Sequence, residues 1–165
     1  IEKMFLNSKV QSIGLRFFTV YGEYGRPDMS YFIFTDRIFK NEDIYLYGRN
    51  IKRDFTYIRD VIESLIRIIK KRNDIFDRTG NKLILNIGHG DPIKLEEVAS
   101  IIARYLEKKA NIIYREEREF DMRYTCADNS LLKDITGFTH KTNINECLKN
   151  FVKWYRDVFI PQIKG

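Results

Sequence analysis

The stretch Gly14-Leu-Arg-Phe-Phe-Thr-Val-Tyr-Gly-Glu-Tyr-Gly-Arg-Pro27 indicates the fold class of this 165-residue chain. It begins with a nearly unbroken apolar and aromatic run, which is typical of a β-strand covered on both faces. It ends with Gly22, Gly25 and Pro27, which predict a loop. Open α/β sheets bind ligands just beyond the carboxyl ends of such strands, so we expect a binding site near this loop.

The remainder of the chain alternates between strand and helix patterns, which indicates the α/β class. The later strands are short and scattered, whereas a buried strand at 13–19 needs neighbours on both sides. We therefore expect a single domain, 1–165, in which residues 1–28 are the remnant of a Rossmann half and residues 29–165 form a small mixed α/β lobe. The long strand would then be left over from an otherwise missing Rossmann sheet.

Local signals place the other elements along the chain. Two capping boxes, Asp60 with Glu63 and Asn143 with Glu146, predict the starts of two helices. The last of these helices is expected to end near Pro161. The remaining predictions are the end of a helix at 1–9, helices at about 29–40 and 95–108, a short helix ending at Gly137, a polar and mobile connection at 72–82, and strands at 44–47, 54–58, 83–87 and 111–114.

The composition limits the possible partners. Lys and Arg total 29 against 23 Asp and Glu, a net charge of +6 that favours an anionic partner. Nucleic acid, a phosphate-bearing small molecule and no specific partner all remain open. Cys126 and Cys147 each lie alone in apolar surroundings, and we interpret both as small buried hydrophobes. This cysteine usage indicates a reduced, cytoplasmic compartment. Neither cysteine has a Cys or His at ligand spacing, which argues against a metal site. No apolar run reaches the ~18 residues of a membrane span, so we predict no membrane association.

Two histidines and a glycine pair offer weaker signals. His89 and His140 fall in loops without Cys or His partners, and we assign them surface or turn roles rather than metal or base roles. The Gly88-His-Gly90 segment is a fragment of a dinucleotide fingerprint. Its third glycine is missing and Pro92 follows at once, so we interpret it as a turn.

Three arginines form the most specific candidate site. Arg26 follows the long strand, Arg53 lies between a short strand and a helix, and Arg118 lies in a charged run. Guanidinium groups bind phosphate and carboxylate bidentately, so three of them in one cleft would suit a substrate that carries both. Tyr45 and Tyr47 share one face of their strand and could stack on a flat ring. The alternative is that these arginines are ordinary surface charges and these tyrosines are core packing.

Four motifs carry a resemblance to a known family. The motifs are Phe17-Phe-Thr-Val-Tyr-Gly-Glu-Tyr-Gly-Arg-Pro-Asp-Met29, Arg53-Asp-Phe-Thr-Tyr-Ile58, Asn86-Ile-Gly-His-Gly-Asp-Pro92 and Thr125-Cys-Ala-Asp128. They resemble, in order, segments of the C-terminal half of an extended short-chain dehydrogenase/reductase of the NAD-dependent nucleotide-sugar epimerase/dehydratase family. The first is most similar to UDP-glucuronate 4-epimerases.

The resemblance implies a binding role for each matched residue. The implied reaction is oxidation of the sugar at C4 by NAD, rotation of the keto sugar and return of the hydride to its other face. A UDP-sugar of the hexuronate type would be the partner. The implied contacts are Thr19 and Arg26 with the sugar carboxylate, Arg53 with a phosphate, Arg118 with the diphosphate or ribose, Tyr47 with the uracil, and Phe17 and Phe18 with the nicotinamide.

Departures from the family pattern limit this reading. The family's glycine-rich fingerprint and its catalytic Tyr-x-x-x-Lys pair are expected upstream of Ile1, so we assign no catalytic residue to this chain. We expect no turnover by the chain alone and no binding of NAD by this part alone, with a separate N-terminal Rossmann half as a possible partner. Because unpaired strand edges invite pairing, we expect a homo-oligomer through the N-terminal strand or helix. The alternatives are a non-catalytic remnant of the same fold and a basic nucleic-acid-binding module.

Overall fold

A computed structural model describes residues 9–140 and 142–164 of the chain. The predicted end of a helix at 1–9 lies almost entirely outside these residues. The strands are β1 (Ser12–Phe17), β2 (Thr19–Tyr21), β3 (Ile44–Tyr47), β4 (Lys52–Arg53), β5 (Phe55–Tyr57), β6 (Lys82–Ile87), β7 (Ile93–Lys94) and β8 (Ile112–Arg115). The helices are α1 (Ser30–Lys40), α2 (Ile58–Lys70), α3 (Arg72–Thr79), α4 (Leu95–Leu106), α5 (Ser130–Thr136), α6 (Ile144–Trp154), a π-helical turn (Tyr155–Phe159) and α7 (Ile160–Lys164).

The first strand has a neighbour inside the chain. β1 pairs in parallel with β6 over six residues, from Ser12 opposite Lys82 to Phe17 opposite Ile87. Parallel strands require a crossover, and the segment between these two contains α2 and α3. The prediction of one strand left over from a missing sheet is therefore wrong, because the chain itself contains a parallel pair with its helical connection. β6 is the one partner strand of β1 among residues 9–140 and 142–164.

The predicted long strand is divided where it changes partner. The amide of Phe18 still donates to the carbonyl of Ile87, at 3.1 Å. The amide of Thr19 donates instead to the carbonyl of Asp54, at 3.0 Å, and β2 then pairs in parallel with β5. Elsewhere β3 pairs in parallel with β8, and β4 pairs antiparallel with β7. The strand at 13–19 thus connects two strand pairs.

Two apolar cores fill the described part of the chain. The larger lies among α1, β3, α4 and α6, and it is strongly aromatic: the Phe151 ring lies 4.8 Å from Tyr31 and 5.6 Å from Phe32. The smaller core packs α2, α3 and α5 against β1 and β6. Each core draws on residues well beyond position 28, and the division at that residue stays a prediction. No helix in the described ranges is long and apolar enough to cross a membrane.

Two predicted helix boundaries differ from the structure. α2 begins at Ile58, so Asp60 lies in its first turn and does not cap it. The last helix does not stop at Pro161, because α6 continues through the π-helical turn into α7. Pro161 thus lies within a continuous helical segment, shortly after the π-helical turn. In contrast, Asn143 caps α6 as predicted, since its side chain accepts a hydrogen bond from the amide of Asn145 at 2.8 Å.

The segment predicted as a mobile connection contains a helix. α3 spans Arg72–Thr79, and Gly80 follows it with a positive φ of 77°. Ile75 is the buried residue of this helix, so the sequence offers little apolar periodicity to detect. The helix forms because that single side chain packs into the smaller core.

Candidate functional site

A hollow of about 450 Å³ lies beside strand β3. α1 and β4 contribute to its walls, together with the start of α4 and the segment that follows β8. β3 alternates between buried and partly exposed side chains, so Ile44 and Leu46 face the larger core while Tyr45 and Tyr47 face the hollow. The charged and aromatic side chains that line it are Asp28, Arg37, Arg53, Arg118, Asp121, Phe34, Tyr45 and Tyr47.

Arg118 and Tyr47 form a stacked pair in this hollow. The guanidinium carbon of Arg118 lies 3.7 Å from the centroid of the Tyr47 ring. At that distance the cation contacts the ring face, an arrangement that is stabilising and also holds the guanidinium plane in a fixed orientation. The amide of Asp121 donates to the carbonyl of Arg118 at 3.0 Å, which closes a turn around this arginine. A flat ligand ring and a phosphate could both be bound at this pair.

Arg53 is the more deeply placed cation of the hollow. Burial lowers the pKa of its guanidinium, while the nearby Asp121 carboxylate acts in the opposite direction. Its Nη1 donates to the carbonyl of Lys52 at 3.1 Å, and no carboxylate within the described ranges forms an ion pair with it. A partly buried guanidinium without an ion-pair partner is a favourable position for a phosphate or carboxylate of a ligand.

The third predicted arginine does not share this hollow. Arg26 forms an ion pair with Asp28, with Nε and Nη2 at 3.0 and 2.5 Å from its two carboxylate oxygens, and its side chain is 76% exposed. It borders a separate hollow of about 520 Å³, together with Phe18. Asp28 lines the first hollow, so Arg26 lies just outside it. The expectation of three arginines in one cleft is therefore met for Arg53 and Arg118 only.

The other predicted contact residues lie at the ends of the two strand pairs. Thr19 donates its amide to the backbone of Asp54 and is partly buried. Phe17 ends β1 with 49% of its surface exposed, and Phe18 lies at the change of partner strand. None of these three lines the hollow beside β3. Their contacts with the sugar and the nicotinamide stay predictions.

A buried carboxylate that was not predicted from the sequence, that of Asp54, lies beside Arg53. Asp54 has no exposed surface. It accepts backbone hydrogen bonds from His89 at 2.7 Å, Gly90 at 2.9 Å and Ala127 at 2.8 Å. The hydroxyl of Thr56 donates to it at 3.3 Å. An acidic residue set inside an apolar strand segment was the signal available in the sequence, because such a residue is buried only when it is fully paired.

The glycine pair is a turn that packs against this carboxylate. The amides of His89 and Gly90 both donate to Asp54 and are not free to bind an external anion. Gly88 has no room for a side chain, since an added Cβ would lie 2.2 Å from the Cβ of Ala127 and 2.8 Å from Oδ2 of Asp54. This geometry agrees with the interpretation of the Gly88-His-Gly90 segment as a turn.

The cysteines and histidines differ in their environments. Cys147 is buried as predicted, but Cys126 is exposed, so the prediction of a buried thiol is wrong for Cys126; both thiols are free. Within the described ranges no group of three His, Cys, Asp or Glu side chains could hold a metal ion. His140 is partly buried rather than a surface residue, and its Nε2 lies 3.2 Å from the Ser64 hydroxyl.

The hydrogen bonds of Ser64 determine the tautomer of His140. The Ser64 hydroxyl donates to the carbonyl of Asp60 at 2.8 Å, so Nε2 of His140 donates to the Ser64 oxygen. Nδ1 is then the unprotonated nitrogen, buried and without a partner in the part of the chain that the structure describes. Burial lowers the pKa of His140, and the neighbouring His89 acts in the same direction while Asp60 and Asp54 oppose it.

Acid is expected to destabilise the fold through His140. Because its pKa in the folded protein is lowered, the unfolded chain binds the proton more tightly, so the free energy of unfolding falls as the pH drops below the ordinary histidine value of about 6.5. Urea unfolding between pH 8 and pH 5 measures this slope. His140→Gln should flatten it, and an unchanged slope in that variant would show that another group is responsible.

Comparisons with known proteins identify relatives of the chain. The sequence model described as "NAD dependent epimerase/dehydratase family" matches residues 2–88. An uncharacterised protein of Methanocaldococcus jannaschii is 43% identical over 148 residues, covering 88% of this chain and 43% of that protein. A probable UDP-glucuronate 4-epimerase of Rhizobium meliloti is 33% identical, covering 89% of this chain and 47% of that protein. The chain therefore spans less than half the length of these relatives.

The chain is also similar in fold to a solved structure. The structure of MoeE5 in complex with UDP-glucuronic acid and NAD has a TM-score of 0.77 and 32% identity, covering 88% of this chain and 47% of that one.

Two predictions are corrected by the comparisons. The family match at residues 2–88 and the structural alignments correspond to the N-terminal, NAD-binding Rossmann portion of extended epimerases. The assignments of the chain to a C-terminal half and of its fold to a C-terminal substrate-binding lobe are therefore wrong.

Proposed function

Since this chain belongs to the NAD-dependent epimerase/dehydratase family, we propose that the hollow beside β3 binds a nucleotide sugar of the UDP-hexuronate type. The observation that carries the proposal is the pair of arginines in one hollow. Arg53 is partly buried and has no ion-pair partner in the described ranges, and Arg118 is stacked on Tyr47. A diphosphate and a flat base are the two chemical groups that such a hollow can bind together.

Each residue has a role in this proposal. Arg53 binds a phosphate, and Arg118 binds the diphosphate or the ribose while it remains close to Tyr47. The base lies against the β3 tyrosines. Arg26 binds the sugar carboxylate only after its ion pair with Asp28 opens. Both side chains of that pair are exposed, so opening it costs little free energy. Thr19, the first residue of β2, completes the sugar contacts.

The family implies NAD as cofactor, and the loop at 88–90 is the glycine-containing segment that resembles part of a dinucleotide fingerprint. A dinucleotide needs free backbone amides for its pyrophosphate, as a glycine-rich loop provides. The amides of His89 and Gly90 already donate to Asp54, and Gly88 packs against Ala127. This loop does not fit a pyrophosphate, so no step of the proposed function in this chain runs through NAD.

The proposed function is binding rather than turnover. Tyr105 and Lys109 have the spacing of a Tyr-x-x-x-Lys pair, but α4 ends at Leu106 and Glu107 has a positive φ of 55°. The tyrosine and the lysine are therefore not on one helical face, and neither lines the hollow. No acid/base group for a sugar hydroxyl is assigned to this chain.

Calorimetric titration with UDP-glucuronate tests the proposal directly. We expect binding with a Kd below about 1 mM for UDP-glucuronate and for UDP, because the diphosphate and the base supply most of the contacts. Glucuronate alone should give no heat, since it lacks both groups. An absence of heat with millimolar UDP-glucuronate would exclude the proposal and favour a non-catalytic remnant of the fold.

The cellular setting is a separate part of the proposal. Two free thiols, with Cys126 exposed to solvent, support a reducing cytoplasmic compartment. A homo-oligomer through the free edge of β1 also stays a proposal, supported by its having one partner strand among the described residues.

A further inference from the structure

Arg37 is a cation of the hollow that sequence reasoning did not select. It lies in the last turn of α1, and its Nη1 donates to the carbonyl of Asp43 at 3.0 Å. Its guanidinium carbon lies 5.3 Å from the centroid of the Tyr45 ring. Its Nη1 also forms an ion pair with Glu42, whose Oε2 lies 3.9 Å away, beyond hydrogen-bond distance. The guanidinium is thus oriented by one backbone bond, one ring and one longer ion pair.

Most of the donors of Arg37 remain available. A guanidinium has five N–H groups, and the bond to Asp43 uses one of them. No other acceptor for this side chain lies within hydrogen-bond distance in the described part of the protein. Arg37 borders the hollow that contains Arg53 and Arg118, and it also borders a smaller one beside Glu42. A ligand in the larger hollow would therefore offer acceptors to the donors that remain.

The hollow has two ends along β3. Arg118 stacks on Tyr47 at one end, and Arg37 packs on Tyr45 at the other. Alternate residues of a strand are separated by about 7 Å, roughly the distance from a ribose to the far edge of a pyrimidine. If the diphosphate lies at Arg53 and Arg118, the base extends toward Tyr45 and Arg37.

We propose that Arg37 recognises the base of the nucleotide by donating to a ring carbonyl, so that uracil is preferred to cytosine. This inference rests on the proposed function. Uracil presents an oxygen at its C4 position, which accepts from a guanidinium, whereas cytosine presents an amino group there, which is a donor. An arginine facing that amino group has no acceptor, and a site built around a hydrogen bond rejects a ligand that cannot form it.

Arg115 offers a matched control. Its guanidinium carbon lies 5.0 Å from the centroid of the same Tyr45 ring, so both arginines pack on that ring at similar distances. Arg115 does not line the hollow. The two side chains therefore have the same charge and the same aromatic contact, and they differ in access to the ligand.

The experiment measures the ratio of the affinities for UDP and CDP in four proteins: the unchanged chain, Arg37→Ala, Arg37→Lys and Arg115→Ala. We expect the unchanged chain and Arg115→Ala to prefer UDP by about tenfold. Arg37→Ala should reduce the preference to within about twofold, and Arg37→Lys should retain part of it because an ammonium still donates but lacks the planar fork. Thermal unfolding of each variant verifies that it is folded.

The outcomes separate this inference from the proposed function. If the unchanged chain binds neither nucleotide, both fail. If it binds UDP and CDP equally, or if Arg37→Ala keeps the preference, the inference on Arg37 alone is overturned. Equal losses of affinity for UDP and CDP in Arg37→Ala would overturn the inference and show that Arg37 binds a phosphate. A loss of the preference for UDP in Arg115→Ala would also overturn it, because the preference would then depend on the Tyr45 ring.

Discussion

Replacing Asp54 with Asn should lower the free energy of unfolding by about 3 kcal/mol. The carboxylate is fully buried and accepts backbone hydrogen bonds from three residues, His89, Gly90 and Ala127. An asparagine of the same size has one acceptor oxygen, and its amide group would face backbone N–H donors. At least one of those amides would then be buried without a partner.

Chemical denaturation with urea measures this effect. Asp134→Asn is the control, because Asp134 lies on the surface in an exposed ion pair with Arg78 and should change stability by less than about 0.5 kcal/mol. A loss at Asp54 no larger than the loss at Asp134 would contradict the structure around the turn at 88–90.

The second large effect concerns ligand binding. Arg53→Ala should weaken the binding of UDP-glucuronate by about 50-fold, or about 2.3 kcal/mol, since a charge-assisted hydrogen bond in a partly buried position contributes about that much. This guanidinium is partly buried, and that burial lowers its pKa. Ligand-observed magnetic resonance titration can measure dissociation constants in the millimolar range that the variant requires.

Arg78→Ala is the matched control for Arg53. Arg78 is an exposed arginine whose ion-pair partner, Asp134, lies outside the hollow, so its removal should leave the affinity within about twofold. Equal losses in the two variants would indicate a general effect of net charge, and an unchanged affinity in Arg53→Ala would place the ligand elsewhere.

The sequence predicts the local elements better than their arrangement. α1, β3, β6 and α4 lie within two residues of their predicted bounds, because each combines a clear apolar period with a nearby breaker. The division of the first strand at Phe18 was not predictable, since its apolar run continues without interruption. The change of partner depends on Asp54, which is distant in the sequence.

In the candidate site, too, individual residues were predicted better than their arrangement. Tyr45, Tyr47, Arg53 and Arg118 were selected from spacing and resemblance, and the structure places them in one hollow. Arg26 was expected with them, but its sequence neighbour Asp28 neutralises it outside the hollow. Arg37 was missed because a basic residue in the last turn of a helix is also explained by the helix dipole.

The first strand changes partner at Phe18, and at this point the backbone passes from the smaller apolar core to the larger one. The backbone leaves β6 and joins β5 within two consecutive amides, and Asp54 holds the loops on both sides of that point. A rotation of one core against the other would have to break these bonds together. We therefore expect little bending at this point, so that a ligand beside β3 would be held at a constant distance from the tips of β1 and β6.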